Sequence, residues 1–447
     1  MSGIKVCVIG LWHLGSVTSA CLAELGYRIA GVDADAARVE RLNRGAAPLF
    51  EPGLDEIIAA NLAAGRLTFT TDAAEALAGA THAIIAHDTP VDEQDEVDLS
   101  PLFAAAADLA PHLESGATVI VSSQAPVGTC EQLAARIHEL NPALDFGIAY
   151  LPENLRLGQA IERFRRPDML VIGADDGATC EAVDGLLAAI DAPRVKVGLR
   201  TAEMIKHAIN CYLATSISFI GEIASICDEV GADALAVARA LRLDSRIGPG
   251  APLQPGLGFA GGTLARDLKA LLRTASRHGY GAPLIRAVLA VNEAQSESVL
   301  RKLHGVYASL QGRQVGVLGL TYKPGTSTLR RSAALEFIRA MAADGASIRA
   351  YDPRADPDEV RPHSELTLCD DPYAVAQEGD ALLLATPWPE FGELDFGRIR
   401  RSMHSPVLLD PHNMLDADAM ARHGFLYLGT GRGRQASLSD KPEGTAR

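Results

Sequence analysis

The sequence predicts an α/β protein in which two doubly wound parallel-sheet domains are joined by a central helical segment. Three observations carry that expectation. From residue 4 to about 195, short β-branched runs alternate with Ala- and Leu-rich stretches, the sign of a parallel sheet covered by helices. Residues 201–240 then keep helical spacing, with Met204, Ile205, Ala208, Ile209, Tyr212 and Leu213 on one face. A second alternating pattern starts at Gln314, and 447 residues are too many for one ordinary core.

In chain order, the first pattern predicts strands at 5–9, 30–32, 83–86, 118–122 and 170–173. The continuous helix that follows marks a joint between domains. Residues 248–262 carry Pro249, Pro252, Pro255, Gly256 and Gly258, which exclude a regular element, and a loop this long is more often functional than idle. Helical spacing resumes at 264–304. The second pattern gives strands at 315–318, 347–351, 381–385 and 407–410, with a helix at 333–344. The domain reading is therefore 1–198, a central helical segment 199–306 holding the loop 248–267, a second α/β domain 307–432, and a disordered tail 433–447.

Composition removes several function classes. Lys and Arg number 41 against 56 Asp and Glu, a net charge of -15, which argues against nucleic acid or an anionic membrane as main partner. Met1, Ser2 and Gly3 lead directly into the first strand without a basic export signal, and no apolar run is expected to span a membrane. The seven cysteines are scattered and never form a CxxC pair, which fits reduced thiols in the cytoplasm and predicts no metal site.

The first strand leads into Gly10, Leu11, Trp12, His13, Leu14 and Gly15, with a helix opening near Gly15. That strand–glycine–helix context is the one a dinucleotide fingerprint needs, and it marks the domain as Rossmann-like. Asp33 lies 18 residues beyond Gly15, at the end of the second strand, where a carboxylate accepts from the adenosine ribose hydroxyls. An acid there favours NAD over NADP, because it repels a 2′-phosphate. Trp12 stands where the middle glycine ordinarily lets the backbone approach the pyrophosphate.

Further segments resemble the UDP-glucose/GDP-mannose dehydrogenase family over about 420 residues. They are Glu51, Pro52, Gly53, Leu54; Thr89, Pro90 with Asp98, Leu99, Ser100; Pro126, Val127, Gly128, Thr129; and Pro152, Glu153 with Leu155, Arg156. The 202–210 helix matches AExxKxxxN, and Asp244 to Gly248, the glycine loop through Asp267, and Leu318 to Thr326 match further on. The resemblance implies two Rossmann-like domains, one for NAD and one for a uridine or guanosine diphosphate, and a central segment that makes a homodimer. It implies a reaction of two successive hydride transfers that turns a sugar's primary alcohol into a carboxylate through a cysteine thiohemiacetal.

The resemblance also implies roles. Gly10, Trp12, Leu14, Gly15, Asp33, Thr89, Gln124 and Arg330 are the expected cofactor contacts. Leu155, Arg246, Phe259, Gly261 and Lys323 are the expected substrate contacts, Arg246 reaching across the dimer interface. Lys206, Asn210, Asp267, Glu153 and Thr263 are the expected catalytic set. Lys206 and Asn210, spaced i, i+4, project from one helix face, as donors that stabilise a developing oxyanion.

The chain departs from the family at one half of the reaction. The family's GGSCxxKD reads Gly261, Gly262, Thr263, Leu264, Ala265, Arg266, Asp267, so Thr263 stands in the nucleophile's place and Arg266 in the lysine's. A threonine hydroxyl is a far poorer nucleophile than a thiolate. Gln124 replaces a threonine, Leu157 replaces a glutamate, and Ser327 and Thr328 replace two acids beside Lys323. Alcohol oxidation needs a base and a positioned cofactor but no thiol, so a single two-electron step between alcohol and aldehyde is expected. The complete four-electron dehydrogenase and a catalytically silent nucleotide-sugar-binding protein are the alternatives.

Overall fold

In the computed structural model, residues 4–92, 97–152, 155–259, 263–329 and 332–433 are described. Glu153, Gly261, Arg330 and the tail from residue 434 lie outside them.

The chain divides into two compact units, Met1–Ile209 and Asn210–Arg447. The first holds β1 (Lys5–Ile9), β2 (Arg28–Val32), β3 (Leu67–Thr70), β4 (His82–Ile85), β5 (Ala117–Val121), β6 (Phe146–Tyr150), β7 (Leu170–Gly173) and β8 (Arg194–Val197). Their order in the sheet is β3-β2-β1-β4-β5-β6-β7-β8. The first six run parallel, whereas β7 meets β6 antiparallel through Tyr150 opposite Gly173. Val6, Cys7, Val8, Val119, Ile120 and Val121 are fully buried, as expected where helices cover both faces of a parallel sheet. Around this sheet lie α1 (His13–Glu24), α2 (Ala36–Asn43), α3 (Ser100–Leu109) and α4 (Ala160–Arg165).

The second unit repeats the design. Its strands are β9 (Gln314–Leu318), β10 (Ser347–Tyr351), β11 (Leu366–Leu368), β12 (Ala381–Leu384), β13 (Val407–Asp410) and β14 (Leu426–Gly429), all parallel, in the order β11-β10-β9-β12-β13-β14. Both units therefore have the Rossmann-like arrangement that the sequence predicts. The sequence reading missed β3, β8, β11 and β14, which lie at sheet edges and, half covered, need no continuous apolar run. It also missed β6, whose first three residues are only half-buried.

The expected single helix 201–240 is two helices. The first is α5 (Leu199–Val230); Gly231, with φ of 75°, ends it. Asp233 then caps α6 (Ala234–Leu243) by accepting from Leu235 and Ala236 N–H. α5 also corrects a second expectation, since by length and composition it is apolar enough to cross a membrane. Its apolar residues extend beyond the buried face: Tyr212, Phe219, Ile226 and Val230 are exposed. The region read as continuous helix from 264 contains α7 (Thr263–Arg277) and α8 (Pro283–Ser296).

Candidate active site

The phosphate loop is built by the end of β1. Gly10 adopts φ of +89°, a conformation side chains resist, and its N–H donates to Val32 O at 3.0 Å. A Cβ on Gly15 would lie 1.7 Å from Gly10 O, so this glycine lets the helix pack close to the strand. Trp12 is the cap residue of α1, and its indole lies under Arg38, whose guanidinium carbon is 5.2 Å from the ring centroid. Leu14 is buried in the core.

Asp33 is buried at the end of β2. Its Oδ2 accepts from Leu11 N–H and Arg38 Nη1, both at 2.7 Å, and its Oδ1 from Asp35 N–H at 2.9 Å. Burial alone would raise this carboxyl, but the hydrogen bonds from Asp35 and Leu11 and the Arg38 guanidinium outweigh it and hold it below the ordinary value. A carboxylate offers about four lone-pair sites, so room remains for a ribose hydroxyl. Glycine cradle, acid and strand order together fit an adenine dinucleotide.

Three ties that the sequence reading did not assign brace the first unit. His13 Nε2 lies 3.0 Å from Glu51 Oε2, and Glu51 also accepts from Gly158 and Ala160 N–H, each at 2.8 Å. Glu51 thus links the start of α1 to the start of α4. Thr89 Oγ1 donates to Gln124 O at 2.7 Å, joining the segments after β4 and β5. Glu203 of α5, fully buried, accepts from Cys130 N–H at 2.9 Å and Gly128 N–H at 2.5 Å, which fixes the 126–129 turn. Lys206 is buried one turn further on, and Leu155 is half-buried against the core that holds Leu14.

In the second unit, Asn210 Nδ2 donates to Asp267 Oδ2 at 2.5 Å, with both residues buried. The amide orients the carboxylate, a group able to accept a proton. Thr263, first residue of α7, is exposed. Cys211 is the thiol beside this pair, and burial, then the Asp267 charge, push it up to about 12. At neutral pH it stays protonated and is a poor nucleophile.

The glycine loop is held by Asn292 of α8, another residue without a sequence signal. Its Oδ1 accepts from Phe259 N–H at 2.7 Å and its Nδ2 donates to Phe259 O at 3.1 Å, while a Cβ on Gly258 would collide with it at 2.3 Å. Arg246 is exposed and paired with Asp244. Lys323 lies over the Tyr322 ring at 5.5 Å. Among the described residues no cluster of three or more His, Cys, Asp or Glu side chains is placed to hold a metal.

A glycine loop at the switch point of the first unit's sheet and an acid at the end of β2 define a dinucleotide-binding protein. Residues 4–191 match the NAD binding domain of the UDP-glucose/GDP-mannose dehydrogenase family, residues 200–294 its central domain and residues 316–417 its UDP binding domain. The chain belongs to this family and is an NAD-dependent oxidoreductase acting on CH–OH groups. It is 38% identical over 436 residues to UDP-glucose 6-dehydrogenase of Rhizobium meliloti (strain 1021), covering 96% of this chain and 100% of that one. The solved UDP-glucose dehydrogenase of Pyrobaculum islandicum superposes with a TM-score of 0.88 at 32% identity, over 97% of this chain and 99% of that one. A UDP-D-ManNAc dehydrogenase from Pyrococcus horikoshii follows at 0.85 and 26%, over 96% and 99%.

Proposed function

We propose that the chain oxidises the primary alcohol of a nucleotide sugar to the aldehyde, one hydride per turnover. The observation that carries this reading is the lack of a thiolate: Thr263 occupies the nucleophile's place, and the Cys211 thiol beside Asp267 is pushed up to about 12 by burial and by that carboxylate. Bound NAD supplies the hydride acceptor. In this reading Asp267, oriented by Asn210, receives the alcohol proton directly or through a water. Lys206 is the cationic donor for the developing oxyanion, while Arg246, Phe259 and Lys323 serve the substrate, with Glu153, Gly261 and Arg330 in the roles the resemblance gives them. Incubation with NAD and a panel of UDP- and GDP-sugars tests it. One NADH per sugar and an aldehyde trapped by hydrazine support the proposal; two NADH and a carboxylate overturn it in favour of the complete reaction that the relatives' names describe.

We further infer that two copies associate through α5. Tyr212, Phe219, Ile226 and Val230 recur at intervals of seven, seven and four, which places an exposed apolar stripe along one face. Phe219→Glu is expected to yield monomers in sedimentation; a variant that stays dimeric refutes this interface. The seven free cysteines suit a cytoplasmic location.

A further inference from the structure

His87 belongs to none of the motifs discussed so far, yet it occupies the crevice where the dinucleotide has to lie. β1 pairs with β2 on one side and β4 on the other, so the carboxyl ends of β1 and β4 form the topological switch point of the sheet. His87 stands just beyond the end of β4, and its ring covers Gly10. A Cβ on Gly10 would lie 2.7 Å from the imidazole Nδ1 and 2.8 Å from Cγ. The missing side chain at Gly10 therefore seats the imidazole as well as opening the loop.

Among the described residues, none hydrogen-bonds the His87 ring. The charged groups around it come from every neighbouring element: Asp33 after β2, Arg38 of α2, Asp88 beside it in the chain and Asp108 of α3. Burial is the largest influence and holds the imidazole below its ordinary value, with Arg38 pulling the same way and the three carboxylates opposing. The ring is therefore neutral at neutral pH. Trp12, meanwhile, occupies the position at which glycine would let backbone approach the pyrophosphate. A side-chain donor in the same crevice compensates for what that backbone gives up.

We propose that His87 is a cofactor-contacting residue whose imidazole hydrogen-bonds the pyrophosphate of NAD and takes up one proton from solvent when the dinucleotide binds. The pyrophosphate's two negative charges favour imidazolium over imidazole, since a charge-assisted hydrogen bond is about twice as strong as a neutral one. The balance is enzyme plus NAD plus one proton giving the protonated complex, with no covalent change. This inference rests on NAD as cofactor and is independent of how many hydrides are transferred.

The test is calorimetry of NAD binding to the full chain in two buffers of different ionisation heat, with affinity measured from about pH 6 to about pH 8 around the ordinary imidazole value. The expected result is net proton uptake and an affinity that rises as pH falls, by up to about tenfold per pH unit between the free and bound imidazole values. His87→Gln is expected to bind NAD more weakly with a flat pH dependence. His82→Gln, at the other end of β4 and bonded to Ala182 O, is expected to keep the wild-type slope. Equal binding heats in both buffers for the wild type overturn the proposal without recourse to any variant. A His87→Gln protein that retains the wild-type slope overturns it equally.

Discussion

Replacing Glu51 by alanine tests whether this carboxylate couples the cofactor loop to the segment after residue 152. Glu51 is 4% exposed, and its two oxygens receive the N–H groups of Gly158 and Ala160 and the imidazole of His13. The Ala160 N–H is buried, so leaving it unsatisfied costs about 1–3 kcal/mol; Gly158 is exposed and can turn to water, so its loss is nearer about 0.5–1.5 kcal/mol. The sum is about 1.5–4.5 kcal/mol. For a unit of this size each kcal/mol lowers the melting temperature by about 2–4 °C, so Glu51→Ala should melt about 3–18 °C below wild type. Glu51→Gln keeps one acceptor oxygen and should fall between the two. His13 loses its restraint at the first turn of α1, and NAD affinity should drop by about fivefold, a loss of about 1 kcal/mol. The assay is thermal melting followed by circular dichroism, with and without NAD. An alanine variant that melts within about 2 °C of wild type, less than the shift about 1 kcal/mol produces, refutes the bracing role.

Three other outcomes follow from the same geometry. Gly10→Ala places a Cβ at a left-handed φ and 2.7 Å from the His87 ring; the strain alone is about 1–2 kcal/mol, so NAD affinity measured by fluorescence titration should fall at least about tenfold. On the proposed mechanism Asp267→Asn removes the proton acceptor oriented by Asn210, and kcat should fall by about 10²-fold or more while the Kd for NAD stays unchanged, read by stopped-flow and titration. Asp33 is held below the ordinary carboxyl value, so its stabilising contribution is present above that ordinary value and is lost as pH falls through its lowered one. Melting curves of wild type and Asp33→Asn should therefore differ at neutral pH and draw together below about pH 3, under the ordinary Asp value.

Much of the active-site half in the first unit was legible because its chemistry is local in the chain. Gly10, Gly15 and Asp33 follow from the geometry of one strand–turn–helix unit, and the structure places all three around the same loop. The pair Asn210 and Asp267 was readable only by resemblance, since 57 residues separate them and no spacing rule brings them to 2.5 Å. Arg38, His87 and Asn292 carried no signal, and Glu51 stood in a family segment without a role. Glu51, His87 and Asn292 act on partners distant in sequence and Arg38 on Trp12 as well as on nearby Asp33, and taken alone each reads as an ordinary surface charge, capping acid, core imidazole or helix amide.

The sequence by itself determined two doubly wound domains, the helical joint and NAD as cofactor, because periodicity, glycine punctuation and residue chemistry act within a few residues of one another. Only the tertiary structure decided where α5 breaks, which strands close the sheet edges, and that Trp12 turns its indole toward Arg38 while His87 covers Gly10. Those outcomes depend on packing between segments far apart in the chain. There a burial, or the seating of the His87 ring over Gly10, is fixed by the neighbour across the sheet, beyond the reach of the next few residues in sequence.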